Sequence, residues 1–135
     1  MDKAELKNAG LKITLPRVKI LKLFEDSQKH HLSADEIYQF LNGNGEDIAM
    51  ATVYRVLTQF ETAGLIIRHH FEGDHSVFEL NGGNHHDHLV CIKCATVEEF
   101  VDETIESRQK AVADKAGFQM TDHSLNIYGL CRKCQ

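Results

Sequence analysis

At 135 residues, with 42% hydrophobic and 26% charged side chains, the chain has the make-up of one ordinary globular domain or two small ones. No apolar run approaches the length of a membrane span, and Met1-Asp2-Lys3-Ala4-Glu5 does not open like a signal peptide, so the expectation is a cytoplasmic protein with no membrane partner. The net charge of −5 argues against a general nucleic-acid binder, although residues 1–22 form a local basic stretch, with Lys3, Lys7, Lys12, Arg17, Lys19 and Lys22 against Asp2 and Glu5.

Residues 6–13 predict a short helical lead-in that ends around Gly10. Thr14 reads as an N-cap and Pro16 as a first-turn residue, after which Leu15, Val18, Leu21 and Phe24 recur at helical spacing. A third helix starts at the S-x-x-E capping box Ser33 to Glu36, turns Ile37, Phe40 and Leu41 to the core, and ends at Asn42-Gly43. A fourth spans Met50 to Ala63, with Val53, Val56, Leu57 and Phe60 on its apolar face and Thr52, Tyr54, Arg55, Thr58 and Gln59 elsewhere. It stops at Gly64, while Ala49 is a weak N-cap. Residues 65–71 and 76–80, around the turn Glu72-Gly73-Asp74-His75, predict a strand pair. Three helices followed by a hairpin is the order of a winged helix-turn-helix, whose last helix enters the DNA major groove.

Asn81-Gly82-Gly83-Asn84 is small and polar and reads as a linker, dividing the chain into residues 1–81 and 82–135. Beyond it the pattern gives short strands around 87–91 and 95–101, a helix from Asp102 to about Ala116 closed by Gly117, and a strand near 123–130. The fold class is α+β, a winged-helix domain followed by a small α/β domain.

The second part is dense in metal ligands. Cys91-x-x-Cys94 and Cys131-x-x-Cys134 use all four cysteines in two close pairs, as a tetrahedral four-thiolate zinc site requires. Such a site leaves no position for water and is structural, and a reducing cytosol favours it over disulfides. In an extended His85-His86-Asp87-His88 segment, His86 and His88 point to one face and His85 and Asp87 to the other, allowing two further sites. The remaining ligands are open at this level: Glu79, Glu99, Glu106, His30, His31, His69, His70, His75 and His123 all qualify. Each has an ordinary reading as well; Glu106 can pair with Lys110 on an exposed helix face, and His69 and His70 can be solvated wing residues. Imidazole with carboxylate suits Fe(II), Mn(II), Co(II) or Zn(II), without selecting among them.

Along nearly its whole length the chain resembles the ferric uptake regulators, metal-dependent bacterial repressors. The resemblance is carried by residues 9–17 (AGLKITLPR), 30–34 (HHLSA), 51–57 (ATVYRVL), 71–73 (FEG), 77–80 (VFEL) and 85–91 (HHDHLVC) with Cys94. It implies a winged-helix domain and an α/β dimerisation domain, operator DNA as partner, and assembly as a homodimer or tetramer. It also implies a regulatory site of His31, Glu79, His86, His88 and Glu99, an additional site of His85, Asp87, Glu106 and His123, and structural zinc on the cysteines. Tyr54 and Arg55 are implied to reach bases and Lys12 a minor groove, with Arg17 and Thr52 as further candidate DNA contacts. Fe(II), replaceable by Mn(II), Co(II) or Zn(II), is the implied regulatory ion. Two features depart from the common pattern: the long His-rich tail of many relatives is absent, and Ala49 stands where Ser or Thr caps the recognition helix. Peroxide-sensing relatives tend to carry Asp at the positions of Glu79 and Glu99, so Glu there favours an iron-uptake regulator over that branch, with regulators that sense Mn(II), Zn(II) or peroxide as the alternatives within the family. A zinc-dependent hydrolase is the rival class. It lacks an H-E-x-x-H motif and a spare carboxylate to serve as base. A zinc-stabilised interaction module would account for the cysteines alone.

Overall fold

Apolar stripes at helical spacing give the first half of the chain its core. The computed structural model describes residues 2–72, 75–82 and 85–135, and the chain divides into two units, residues 1–83 and 84–135. Gly73 and Asp74 of the expected hairpin turn and Gly83 and Asn84 of the expected linker lie outside the described residues.

The first unit runs α1 (Asp2–Asn8), α2 (Leu15–Asp26), α3 (Ala34–Gly43), α4 (Met50–Thr62), β1 (Ile66–Phe71) and β2 (His75–Leu80). Leu6, Ile20, Leu21, Ile37, Val53, Leu57 and Phe60 are fully buried in one cluster. The capping box of α3 is present: the Glu36 N–H donates to Ser33 Oγ and the Ser33 N–H donates to Glu36 Oε1, both at 3.1 Å. Helix α4 starts after Ala49 with no side-chain cap and ends at Gly64, whose φ of +80° suits glycine.

Two local expectations are corrected, those for the lead-in helix and for Phe40, while Thr14 holds as an N-cap in position. The lead-in helix lies earlier than residues 6–13: it begins at Asp2, and Gly10 at φ +79° closes it as the Leu11 N–H reaches back to the Leu6 carbonyl at 2.9 Å. Burial of Leu6 anchors this helix, and residues 11–13 are not helical. Thr14 has the extended backbone of an N-cap, but its side chain makes no capping hydrogen bond. Phe40 is 56% exposed, because α3 buries the stripe Ala34, Ile37, Leu41 and Phe40 sits about 100° round the helix from Leu41.

Strands β1 and β2 are antiparallel, with Ile67 opposite Glu79 and His69 opposite Val77. The segment before α3 joins this hairpin through a Leu32 to Phe78 bridge, with backbone hydrogen bonds of 2.9 and 2.8 Å in the two directions. That pairing brings His31 across from Glu79.

The second unit has β3 (Asp87–Cys91), β4 (Val97–Phe100), α5 (Glu103–Lys115), β5 (Asn126–Gly129) and a short 3₁₀ turn, Arg132–Cys134. The sheet order is β4-β3-β5, with β3 antiparallel to β4 and parallel to β5, the crossover being made through α5. Asp102 caps α5, its carboxylate accepting from the Thr104 and Ile105 N–H groups. Among the described residues of this unit only Val90 and Cys91 are buried hydrophobics, while Leu89, Ile92, Val101, Val112, Phe118, Met120, Ile127 and Leu130 are exposed.

Partial burial pushes the Glu36 carboxyl up, but hydrogen bonds from Lys29 and the Ser33 N–H outweigh it and hold the group below the ordinary carboxylate range. A carboxyl depressed in the folded state adds stability above its unfolded value, and that contribution is lost as pH falls through the folded value. Glu36→Gln therefore lowers the melting temperature at neutral pH, and the deficit disappears in acid. Ser33→Ala costs about 1 kcal/mol, read as a fall of roughly 4–8 °C in the first unit's thermal midpoint.

Candidate metal centres and nucleic-acid interface

The four cysteines converge although thirty-six residues separate the pairs. Cys91 ends β3 and Cys94 lies in the turn after it, held by the Ala95 N–H to Cys91 carbonyl bond at 3.0 Å. Parallel pairing of β3 with β5 sets Cys91 opposite Gly129 and delivers Cys131 beside it. All four Sγ atoms lie within 4.8 Å of one another, and those of Cys94 and Cys131 are 3.7 Å apart. At a Zn–S distance of about 2.3 Å, the edge of a tetrahedron of sulfurs is about 3.8 Å. The cluster thus fits a structural zinc ion, and the four thiols are free of disulfides. Backbone N–H groups of Cys94 and Cys131 aimed at the sulfur pull the Cys91 thiol down to about 6, and the Thr96 hydroxyl lowers Cys94. Hydrogen bonding to the Cys131 thiol, with burial, pushes Cys134 up to about 12. The cluster favours thiolate at one corner and holds a proton at another, protons that a bound dication displaces.

A second cluster lies on one face of β3. Asp87 is 1% exposed, and neither of its oxygens has a hydrogen-bond partner among the described residues. His85 Nε2 is 3.4 Å and His123 Nε2 3.9 Å from Asp87 Oδ1, and the same two nitrogens lie 3.3 and 3.2 Å from the Glu106 carboxylate on α5. Two carboxylates facing each other across two imidazoles, one of them buried, form a donor set suited to a divalent cation. The carboxylate of Glu106 is thus directed to these imidazoles.

On the opposite face of β3, His88 is buried and pairs across the ladder with Glu99 of β4. The rings of His86 and His88 are 4.9 Å apart, and His86 Nε2 is 3.5 Å from Glu99 Oε1. In the first unit, the Leu32 to Phe78 bridge sets His31 Nε2 3.2 Å from Glu79 Oε2, both residues buried. The second oxygen of that carboxylate is 2.6 Å from His69 Nε2. The ligand set implied by the resemblance omits His69, and the signal that identifies it is strand register, which places it diagonally across from Glu79 on the same face. His70 points the other way, exposed, its Nδ1 2.9 Å from Ser76 Oγ.

On α4, Tyr54 and Arg55 are exposed and Thr52 is half-buried, while Val53, Val56 and Leu57 face the core. Lys12 is exposed. Arg17 is engaged inside the unit: Nε and Nη2 donate to Gln59 Oε1 at 3.2 and 2.9 Å, and Nη1 donates to the Lys12 carbonyl at 2.7 Å. It therefore ties the start of α2 and the Lys12 backbone to the α4 surface.

The model of the Ferric uptake regulator family matches residues 8–128. The ferric uptake regulation protein of Legionella pneumophila is 66% identical, over 99% of this chain and 98% of its own. The crystal structure of the Vibrio cholerae ferric uptake regulator, which reveals a structural rearrangement of its DNA-binding domains, superposes with a TM-score of 0.91 at 54% identity, covering 97% of this chain and 100% of that one. The ferric uptake regulator of Francisella tularensis with iron gives a TM-score of 0.87 at 47% identity, over 93% and 95% of the two chains. This chain belongs to the ferric uptake regulator family.

Proposed function

We propose that this chain represses iron-uptake genes by binding operator DNA as a homodimer when Fe(II) is held by His31, Glu79, His86, His88 and Glu99. The observation that carries this reading is that each unit presents part of a donor set around acidic and imidazole groups: His31 with Glu79 in one, and His86, His88 and Glu99 in the other. A divalent cation bound to both parts supplies ligand bonds that favour one arrangement of the units over the rest. Two recognition helices reading operator half-sites must stand about 34 Å, one DNA turn, apart. His31 and Glu79 act on that spacing because they belong to the unit that carries α4. The iron present in the Francisella tularensis regulator supports Fe(II) as the ion, with Mn(II), Co(II) or Zn(II) as surrogates.

The other residues have separate tasks in this reading. Cys91, Cys94, Cys131 and Cys134 hold structural zinc, and His85, Asp87, Glu106 and His123 hold an additional ion. The apolar residues that the second unit leaves exposed supply the dimer surface. Tyr54 and Arg55 read bases, Arg55 by bidentate pairing with guanine and Tyr54 against a thymine methyl. Lys12 contacts the backbone in a minor groove, Thr52 flanks the base contacts, and Arg17 positions Lys12 and α4. The protein works in the cytoplasm, where operator DNA is found; among the described residues no helix is long and apolar enough to cross a membrane. The hydrolase alternative falls away because the family is one of transcriptional regulators.

Operator affinity, followed by an electrophoretic shift, drops when a chelator removes the regulatory ion and returns with Fe(II) or Mn(II); affinity indifferent to chelator contradicts the reading. Arg55→Ala costs about 1–3 kcal/mol on operator DNA and relaxes one base position, whereas Lys12→Ala weakens operator and random DNA alike. Cys131→Ser releases zinc, measured with a colorimetric chelator, and broadens the thermal transition of the second unit while that of the first persists.

A further inference from the structure

The ligand set implied by the resemblance leaves His69 unassigned, yet two registers bring it to one face with His31 and Glu79. Glu79 stands opposite Ile67 on β1, His69 is two residues along on that same face, and the Leu32 to Phe78 bridge sets His31 opposite Glu79 on its other side. One carboxylate is thus flanked by two imidazoles, with His31 Nε2 3.2 Å from Oε2 and His69 Nε2 2.6 Å from Oε1. The rings of His31 and His69 are 5.9 Å apart, and one donor atom from each of the three residues lies within 4.8 Å of the others. His69 is braced by a parallel stack on Phe71, at 6.0 Å and 3°. All three residues belong to the first unit.

Two histidines and one carboxylate on one face are the donor set of open Fe(II) sites, which leave the other positions to water. Adjacent ligands bound at about 2.1 Å stand about 3 Å apart. The His31 to Glu79 spacing already suits this, and the His69 to Glu79 hydrogen bond has only to open by a few tenths of an ångström. We propose that His31, His69 and Glu79 form a capture site for a divalent first-row transition metal within the winged-helix unit, loaded before the donors of the second unit join. This deepens, and rests on, the regulatory site proposed above. His69 is then a ligand of the captured ion, and it returns to hydrogen-bonding Glu79 once His86, His88 and Glu99 complete the shell.

The test uses the full chain with its cysteines and zinc intact, carrying His86→Ala, His88→Ala, Glu99→Ala, His85→Ala and His123→Ala, titrated with Co(II) and followed by its visible d–d absorption. The capture site predicts saturable uptake of about one Co(II) per chain, weakened roughly tenfold or more by His69→Ala. No uptake overturns it, as does uptake that ignores His69→Ala. The intact chain supplies an independent arm should the multiple variant fail to fold. There, both His69→Ala and His69→Gln slow Co(II) association in stopped flow, because Gln can donate to Glu79 but is a poor ligand. A His69→Gln rate equal to that of the unaltered chain shows that His69 acts only by orienting Glu79, and overturns the proposal. Unimpaired metal-dependent operator binding by the variant lacking His86, His88 and Glu99 would instead strike the five-donor reading.

Discussion

A buried carboxylate needs a positive partner, and two are buried among the described residues. Glu79 is 6% exposed and Asp87 1%, and each has imidazoles beside it: His31 and His69 at Glu79, His85 and His123 at Asp87. Imidazole is a conditional partner, charged only when protonated, and when neutral it becomes a metal ligand in its own right. A dication supplies charge that neutral histidines do not, so burying an acid among histidines ties the local electrostatics to metal occupancy. The surrounding fold serves that constraint: β2 carries Glu79 next to the bridged His31 segment, and β3 carries Asp87 between strands whose flanking loops and helix bring His85, His123 and Glu106.

The thiol cluster solves a different problem. Helix α5 buries no residue, and Val90 and Cys91 are the only buried hydrophobics described in the second unit, so hydrophobic burial within it gives little. A zinc ion held by the four thiolates would join the end of β3, the following turn and the C-terminal 3₁₀ turn, three places that the sheet alone does not hold together. Among its described residues that unit leaves Leu89, Val112, Phe118 and Ile127 exposed, the surface that the proposed homodimer would cover.

Much of this was legible in the sequence because it rests on local periodicity. The Ser33 capping box, the apolar stripe of α4 and the βαβ order of the second unit are set by residues within a few positions of one another. Alternation along residues 85–88 could likewise be read without coordinates, since side chains of a strand point to opposite faces. What could not be read depends on tertiary register. His69 differs from His70 only in which face of β1 it occupies relative to Glu79. Arg17 reads as a free base until Gln59, forty-two residues away, takes two of its N–H groups. The first helix runs from Asp2 and not from Leu6, since one buried leucine in a seven-residue helix offers no spacing from which its bounds can be read; the exposure of Phe40 reflects the narrow face that α3 turns to the core.

The proposed repressor depends on donors from two units sharing one ion. Crystals of the Fe(II)-loaded dimer on operator DNA, examined by anomalous scattering at the iron edge, test it most directly. The expected iron peak lies within bonding distance of His31 and Glu79 and also of His86, His88 and Glu99. An iron peak bound only by residues of a single unit, in a protein seated on its operator, would contradict it.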